Sequence, residues 1–416
     1  MKTTLYRPAV RFAAGCLAFG LLAAAARGQN AVAPQVAAVG PASSVPMAVQ
    51  NLRWHMNDAE INALTFRSMH SLFTTRAVTR SGSVLRLPRE DHDLNFNYTF
   101  EGEEYTADEV LDRTYTNAML IMKDGVVVYE NYLNNSEAQT HFMGWSMTKS
   151  LVSILVGAAH EAGLIKSLDD DITRYLPELS EGAYKGVSVR QVLQMRSGVD
   201  YEENYDFSAP GLAARNHIMA LVKNVSRFVD PARTIKRAHA PGEVFAYKTI
   251  DTAVLGLLLE RVTGMYLADY MQTTLWEPMG AESDGFYIMD GAPGVGREFS
   301  GAGFNAVLRD FARIGLMMLN EGQVNGHQVI SPAWVAESTR PAGDEKAPLD
   351  YGYQWWTVSN TEAYSAIGLQ GQYIFVDPES RTVIVKLSYF PPNDPEETAS
   401  RETFSFFEAA ARWRPE

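Results

Sequence analysis

Between Leu151 and Ala159 the chain presents Leu151, Val152, Ile154, Leu155, Val156, Ala158 and Ala159 with almost no polar break. A helix that is apolar all round has to be covered all round, so this chain must build packing layers on every side of it. Gly163 supplies the stop. At the mouth of the helix, Ser146-Met147-Thr148-Lys149 sets a hydroxyl and an amine three residues apart, on one face and within reach of each other. A serine hydroxyl is a weak nucleophile until a base takes its proton. A lysine does so only when neutral, which burial or a second cation brings about. At the helix N-terminus Ser146 would also have free backbone N–H groups beside it to polarise an oxyanion. The plainer alternative is a serine N-cap followed by a solvated lysine, so partners elsewhere in the chain must decide.

Two segments supply them. Pro241-Gly242-Glu243-Val244-Phe245-Ala246-Tyr247-Lys248-Thr249 precedes a helix-like run from Thr252 to Thr263, so a turn delivers the Tyr247 phenol to an element end. A phenol there can shuttle a proton between nucleophile and leaving group, although a tyrosine can equally be a core-edge aromatic. Ala366-Ile367-Gly368-Leu369-Gln370-Gly371-Gln372 leads into the alternating strand Tyr373-Ile374-Phe375-Val376 and an Asp377-Pro378 turn. A glycine at the start of a strand admits close backbone approach, and the next N–H can face a developing oxyanion; the alternative is a simple bulge.

In this order the three motifs resemble the serine β-lactamase and penicillin-binding-protein superfamily, most closely its class C-like esterase and 6-aminohexanoate-dimer hydrolase branch. The resemblance runs from about Asn51 to the C-terminus. Ser146-Met147-Thr148-Lys149-Ser150 is similar to the family's S-x-x-K. Tyr247-Lys248-Thr249 is similar to its Y-x-N or Y-x-S element, and Ala366-Ile367-Gly368 to the strand motif that is K-T-G in β-lactamases. Val192 to Val199, Leu308 to Gly315 and Gly368 to Gln372 are similar to stretches typical of that branch. The resemblance implies that Ser146 is acylated, that Lys149 takes its proton, and that Tyr247 relays protons to the leaving atom and from the deacylating water. It implies an oxyanion hole from the N–H groups of Ser146 and Leu369, and a substrate site that includes Thr249, Ile367 and Gly368. It also makes Tyr205, in Glu203-Asn204-Tyr205-Asp206, a substrate-loop aromatic that closes over the site. Two departures matter: Ala366 stands where β-lactamases place a cation for the drug's carboxylate, and Thr249 replaces the common Asn. No S-D-N element appears, which argues against a class A β-lactamase.

Other chemistries find little footing. The eight histidines, at 55, 70, 92, 141, 160, 217, 239 and 327, are scattered, with no H-E-x-x-H and no paired cysteines, so neither a metal nor another cofactor is expected. No serine sits in G-x-S-x-G, and Gly301-Ala302-Gly303 lacks the third glycine of a dinucleotide fingerprint. Residues 1–28 read as a signal peptide: Lys2, Arg7 and Arg11, an apolar run from Phe12 to Ala26, then Ala26-Arg27-Gly28 before Gln29. That run is too short to span a bilayer. Cys16 follows Ala13-Ala14-Gly15, but Arg11 leaves no apolar stretch before it, so lipidation is not expected. Cleavage removes four basic residues and no acidic one, taking the formal charge from −13 to −17 and removing the chain's single cysteine. A periplasmic or secreted protein of that charge has no disulfide, and neither nucleic acid nor stable membrane insertion suits it.

Residues 29–50, rich in Ala, Val, Pro and Ser, read as a flexible leader, and residues 51–416 as the hydrolase domain. Asn117 to Tyr132 reads as a hairpin around Lys123-Asp124-Gly125, while Tyr351 to Trp356 and Gln372 to Ser388 read as strands. Residues 146–320 are mostly helical by period, and about Pro395 to Trp413 is a final helix with Thr403, Phe404, Phe407 and Ala411 on one side. Strands at both ends and helices between them predict an α+β fold in which an inserted all-α domain, about 160–320, interrupts a sheet; the antiparallel sheet flanked by helices comes from the resemblance. The function expected is a metal-free serine hydrolase acting on small-molecule esters or amides. Its rivals are a class C-type β-lactamase or DD-peptidase, a non-catalytic receptor, and a Ser-His-Asp esterase.

Overall fold

Strand Thr382–Ser388 lies antiparallel between Gln372–Asp377 and Thr116–Lys123, so the C-terminal part of the chain is hydrogen-bonded directly to the N-terminal part. The computed structural model describes residues 43–343, 349–392, 394 and 397–415. The signal-peptide stretch 1–28 lies outside the described residues. Seven antiparallel strands run in the order Leu349–Tyr351, Trp356–Val358, Tyr364–Gly368, Gln372–Asp377, Thr382–Ser388, Thr116–Lys123 and Val126–Tyr132. The hairpin at Lys123-Asp124-Gly125 is present, with Asp124 at φ 51° and Gly125 at φ 82°, the left-handed pair that a two-residue turn requires.

The strand Thr116–Lys123 is buried at every position, which a sheet covered on both faces demands. Its side chains divide by parity. Leu120 and Met122 join Ile374, Val376, Val383 and Val385 under the helices Met147–Glu161 and Leu308–Leu319, whereas Met119 and Ile121 join Phe375 and Ile384 under the helix Thr398–Arg412. The molecule is therefore an antiparallel sheet flanked by helices. The apolar helix is Met147–Glu161, buried at twelve of its fifteen residues and closed by Gly163 at φ 71°. Helix Leu308–Leu319 lies so near the sheet that a Cβ on Gly315 would sit 2.5 Å from Val383 Cγ1.

Three expectations need correction. Residues 160–320 are not all helical. Gly285–Ile288 and Phe304–Val307 form a second antiparallel sheet with Thr75–Val78 and His141–Met143, and the region shares one core with the large sheet. Strands of four residues carry no readable period, and one of their partners lies some two hundred residues upstream. Tyr351 to Trp356 is not one strand but the corner between two, with Gln354 at φ 62°. There the buried Gln354 amide donates to Leu193 O at 2.7 Å and its oxygen accepts from Thr252 Oγ1 at 2.6 Å, contacts that a continuing strand would forbid. Finally, helix Met47–His55 begins inside the stretch read as leader, and its buried Arg53 donates to Leu72 O and Leu221 O.

The close approach of Gly315 to the sheet can be tested by unfolding. Gly315→Ala is expected to cost about 1–3 kcal/mol by overpacking, and Val383→Ala in the same chain to recover part of it. Urea denaturation of both single variants and the double variant measures this, and strictly additive losses would contradict the contact.

Candidate active site

The position of Ser146 begins with backbone pairing. Met143 N–H donates to Phe66 O at 2.7 Å and Gly144 N–H to Phe304 O at 2.8 Å, fixing the chain just before Ser146. Trp145 then takes φ 47°, an uncommon left-handed value for a residue with a side chain, and turns the backbone sharply into the helix. Its ring packs edge-on against Phe66 at 5.3 Å, which holds that turn. The Ser146 side chain does not cap the helix, so the simple N-cap alternative fails.

Lys149 completes the pair. Its Nζ lies 3.0 Å from Ser146 Oγ, 3.1 Å from Thr249 Oγ1 and 2.8 Å from Gly301 O. The side chain is 1% exposed, and this burial lowers the amine to about 8, against an opposing pull from Glu203. A neutral amine has two N–H donors and one lone pair. Gly301 O accepts one hydrogen, Thr249 Oγ1 takes the other, and the lone pair is left for the serine proton.

Tyr247 stands on the other side. It leads into helix Thr249–Thr263, its ring lies under Lys149 Nζ at 4.9 Å, and its hydroxyl is removed from water. Desolvation pushes the phenol above its ordinary value, with a hydrogen bond to the Ser146 side chain pulling the other way. A phenol held protonated in this way is a donor rather than a phenolate base. Trp356 stacks on it at 5.6 Å and 26°, and Tyr351 meets it edge-on at 6.0 Å.

The third motif closes the site. Gly368 ends strand Tyr364–Gly368 rather than beginning one, and pairs with Gln372 across a tight turn. A Cβ on Gly368 would lie 2.2 Å from Gly144 O, so only glycine lets this strand end approach the segment that leads into Ser146. Leu369 follows at once. Ile367 is buried in the cluster that holds Tyr351 and Trp356, and Ala366 is buried on the opposite face. Tyr205 is also brought in, since its hydroxyl donates to Glu203 Oε1 at 2.6 Å and its ring packs on His217 at 5.7 Å. Burial holds His217 down to about 4, a neutral aromatic wall for that loop.

Four contributors escaped the sequence reading. Glu203 accepts from Thr249 Oγ1 at 2.5 Å and from Thr249 N–H at 2.9 Å, yet in sequence it is one of several acidic residues in a polar loop. Gly301 acts through its carbonyl, which no side-chain motif reports; the glycine pair at 301 and 303 was its one trace. Gln354 ties the site's helices together, because its backbone carbonyl accepts from Ser150 Oγ at 2.6 Å and its side chain from Thr252. Trp356, read only as core, packs against Tyr247. Among the described residues no cluster of His, Cys, Asp or Glu could hold a metal ion.

The contact at Gly368 yields a direct test. Gly368→Ala should push the strand end from Gly144 and slow labelling of Ser146 by a fluorophosphonate at least tenfold. Circular dichroism should stay unchanged. Labelling at the parent rate would show that this approach does not matter to the serine.

Known proteins resemble this chain in sequence and in fold. Residues 108–404 match the family model described as Beta-lactamase. The chain is 33% identical over 302 residues to the 6-aminohexanoate-dimer hydrolase of Paenarthrobacter ureafaciens, covering 68% of this chain and 75% of that protein. Its fold superposes with a TM-score of 0.75 on a Bacillus anthracis structure provisionally named a 6-aminohexanoate-dimer hydrolase, at 23% identity, covering 86% of this chain and 94% of that one. A family VIII carboxylesterase superposes at a TM-score of 0.57 and 17% identity, covering 74% and 96%. A family model spanning most of the chain and a relative of this similarity together place the protein: it belongs to the beta-lactamase family.

Proposed function

We propose that this protein is a secreted serine hydrolase that cleaves esters or linear amides through an acyl-enzyme on Ser146. The observation that carries the reading is the buried Lys149 amine, 3.0 Å from Ser146 Oγ with two further acceptors around it. Family membership supplies the class, a serine hydrolase. Neutral Lys149 takes the Ser146 proton as Oγ attacks the carbonyl carbon. The N–H groups of Ser146 and Leu369 receive the oxyanion. Tyr247 gives its proton to the leaving oxygen or nitrogen and regains one from Lys149. Water then repeats the sequence on the acyl-enzyme and releases the acid. The basic-then-apolar start at residues 1–28, with Lys2, Arg7, Arg11 and Arg27 and no acidic residue, supports export.

The aromatic residues around Tyr247 bear on substrate choice. Phe245, Tyr247, Tyr351 and Trp356 form one aromatic wall, with Phe245 and Tyr351 5.2 Å apart and Tyr351 and Trp356 4.8 Å apart. Such a wall suits an uncharged, apolar acyl group. Ala366 offers no charge and is fully buried, so an anionic substrate group gains nothing from it. The relative named above is, by its name, a hydrolase of a 6-aminohexanoate dimer, which supports a small-molecule substrate here too.

Two outcomes follow. In the free enzyme kcat/KM should fall as pH drops through about 8, because protonated Lys149 cannot accept the serine proton. Lys149→Ala and Tyr247→Phe should each lower kcat by roughly two to four orders of magnitude, and less than additively together. A near-parent rate for Lys149→Ala would assign the base elsewhere.

The second concerns selectivity. A charge-assisted hydrogen bond to a lactam carboxylate is typically worth about 1.5–3 kcal/mol, roughly ten- to a hundredfold in affinity. Short-chain p-nitrophenyl esters should therefore be turned over with much higher kcat/KM than a chromogenic cephalosporin. Efficient cephalosporin hydrolysis would favour the class C-type β-lactamase reading instead.

A further inference from the structure

Glu203 sits where the chemistry of a base is decided. Three donors point at its carboxylate: Thr249 Oγ1 at 2.5 Å and Tyr205 Oη at 2.6 Å to Oε1, and Thr249 N–H at 2.9 Å to Oε2. The last belongs to the first residue of helix Thr249–Thr263, whose N-terminus favours a negative charge. A hydroxyl has one hydrogen. Thr249 gives it to Glu203, so toward Lys149 Nζ, 3.1 Å away, the same oxygen can only accept.

We propose that Glu203 is a positioning residue for Lys149, acting through the Thr249 hydroxyl to keep the amine's lone pair turned to Ser146. This rests on Lys149 being the base. With Thr249 and Gly301 both compelled to accept, the two hydrogens of neutral Lys149 are committed, and the remaining tetrahedral direction faces Ser146 Oγ. Without Glu203, Thr249 is free to rotate and donate to that lone pair, competing with the serine.

The carboxylate also sets the protonation of the amine. The titratable groups around Lys149 are Tyr247 beneath it, Lys248 and Asp251 on the segment after Tyr247, Tyr201 and Tyr205 on Glu203's loop, and Tyr351 packed against Tyr247. Among the described residues Glu203 is the charge that acts on Lys149, and it acts upward, against desolvation. Glu203 thus holds the amine in position while raising the pH at which it becomes neutral.

These two effects separate by experiment, using pH profiles of p-nitrophenyl butyrate hydrolysis. Glu203→Gln should move the acid limb of kcat/KM down by about one unit, since a unit charge a few ångströms from a buried amine is removed. Its plateau kcat should fall at least tenfold. Thr249→Val, which keeps the charge and loses the hydroxyl, should lower the plateau while leaving the limb in place. Glu203→Asp should leave the limb within about 0.3 unit, because the charge remains. An acid limb unmoved or raised in folded Glu203→Gln, or a parent plateau in Thr249→Val, would overturn the proposal. Lys149→Ala in the same assay separates the two readings. If it is inactive while Glu203→Gln is unshifted, only the role of Glu203 fails; if it is active, the base assignment itself fails.

Discussion

Removing the Lys149 amine from water is what the rest of the site depends on. An exposed lysine is protonated at working pH and cannot take a proton from serine, so the molecule must bury it and still satisfy its hydrogens. Both requirements are met by segments far apart in the chain: the helix carrying Lys149 itself, the start of helix Thr249–Thr263, and the Gly301 backbone. Desolvation lowers the amine to about 8 and the Glu203 charge keeps it from falling further. The state of Lys149 is therefore a balance between an apolar helix and one carboxylate.

The fold makes that burial possible by joining the ends of the chain. Pairing of Thr382–Ser388 with Thr116–Lys123 builds a sheet wide enough to take helices on both faces. The helix Met147–Glu161 can then be apolar on all sides, and its first turn is pressed against the end of Tyr364–Gly368. Gly368 and Gly144 show how tight this is, with a would-be Cβ only 2.2 Å from the opposing carbonyl. Polar staples support the same region from behind. Gln354 joins Ser150, Thr252 and Leu193, three separate elements, through one buried side chain and its own carbonyl. Losing a partner of such a buried group leaves its hydrogen-bonding atoms unsatisfied, a cost larger than the bond's own contribution.

Much of this was legible before any coordinates. The apolar run from Leu151 to Ala159, the Asp124-Gly125 turn and the strands from Gln372 to Ser388 are local patterns, and each took the expected form; the last helix is present, but its buried face includes Phe406 where Phe404 was expected. Ser146 and Lys149 are neighbours by helical spacing alone. The errors fell where local pattern is silent. Gly285–Ile288 and Phe304–Val307 are too short to show a period, and they are strands because Thr75–Val78 and His141–Met143 lie beside them. Tyr351 to Trp356 breaks because Gln354 is drawn inward to partners that no neighbouring residue announces.

The sequence by itself determined the proximity of Ser146 and Lys149, the tyrosine just ahead of a helix and the general order of strands and helices. Each is a matter of spacing within a few residues, where backbone geometry alone sets what can touch. Only the tertiary structure decided that Glu203 and the Gly301 carbonyl belong to the site, that Trp356 faces Tyr247, and that Lys149 is out of water. Those facts depend on contacts between residues 46 to 152 positions apart. Burial and the field of a distant charge, unlike spacing, exist only once those segments have met.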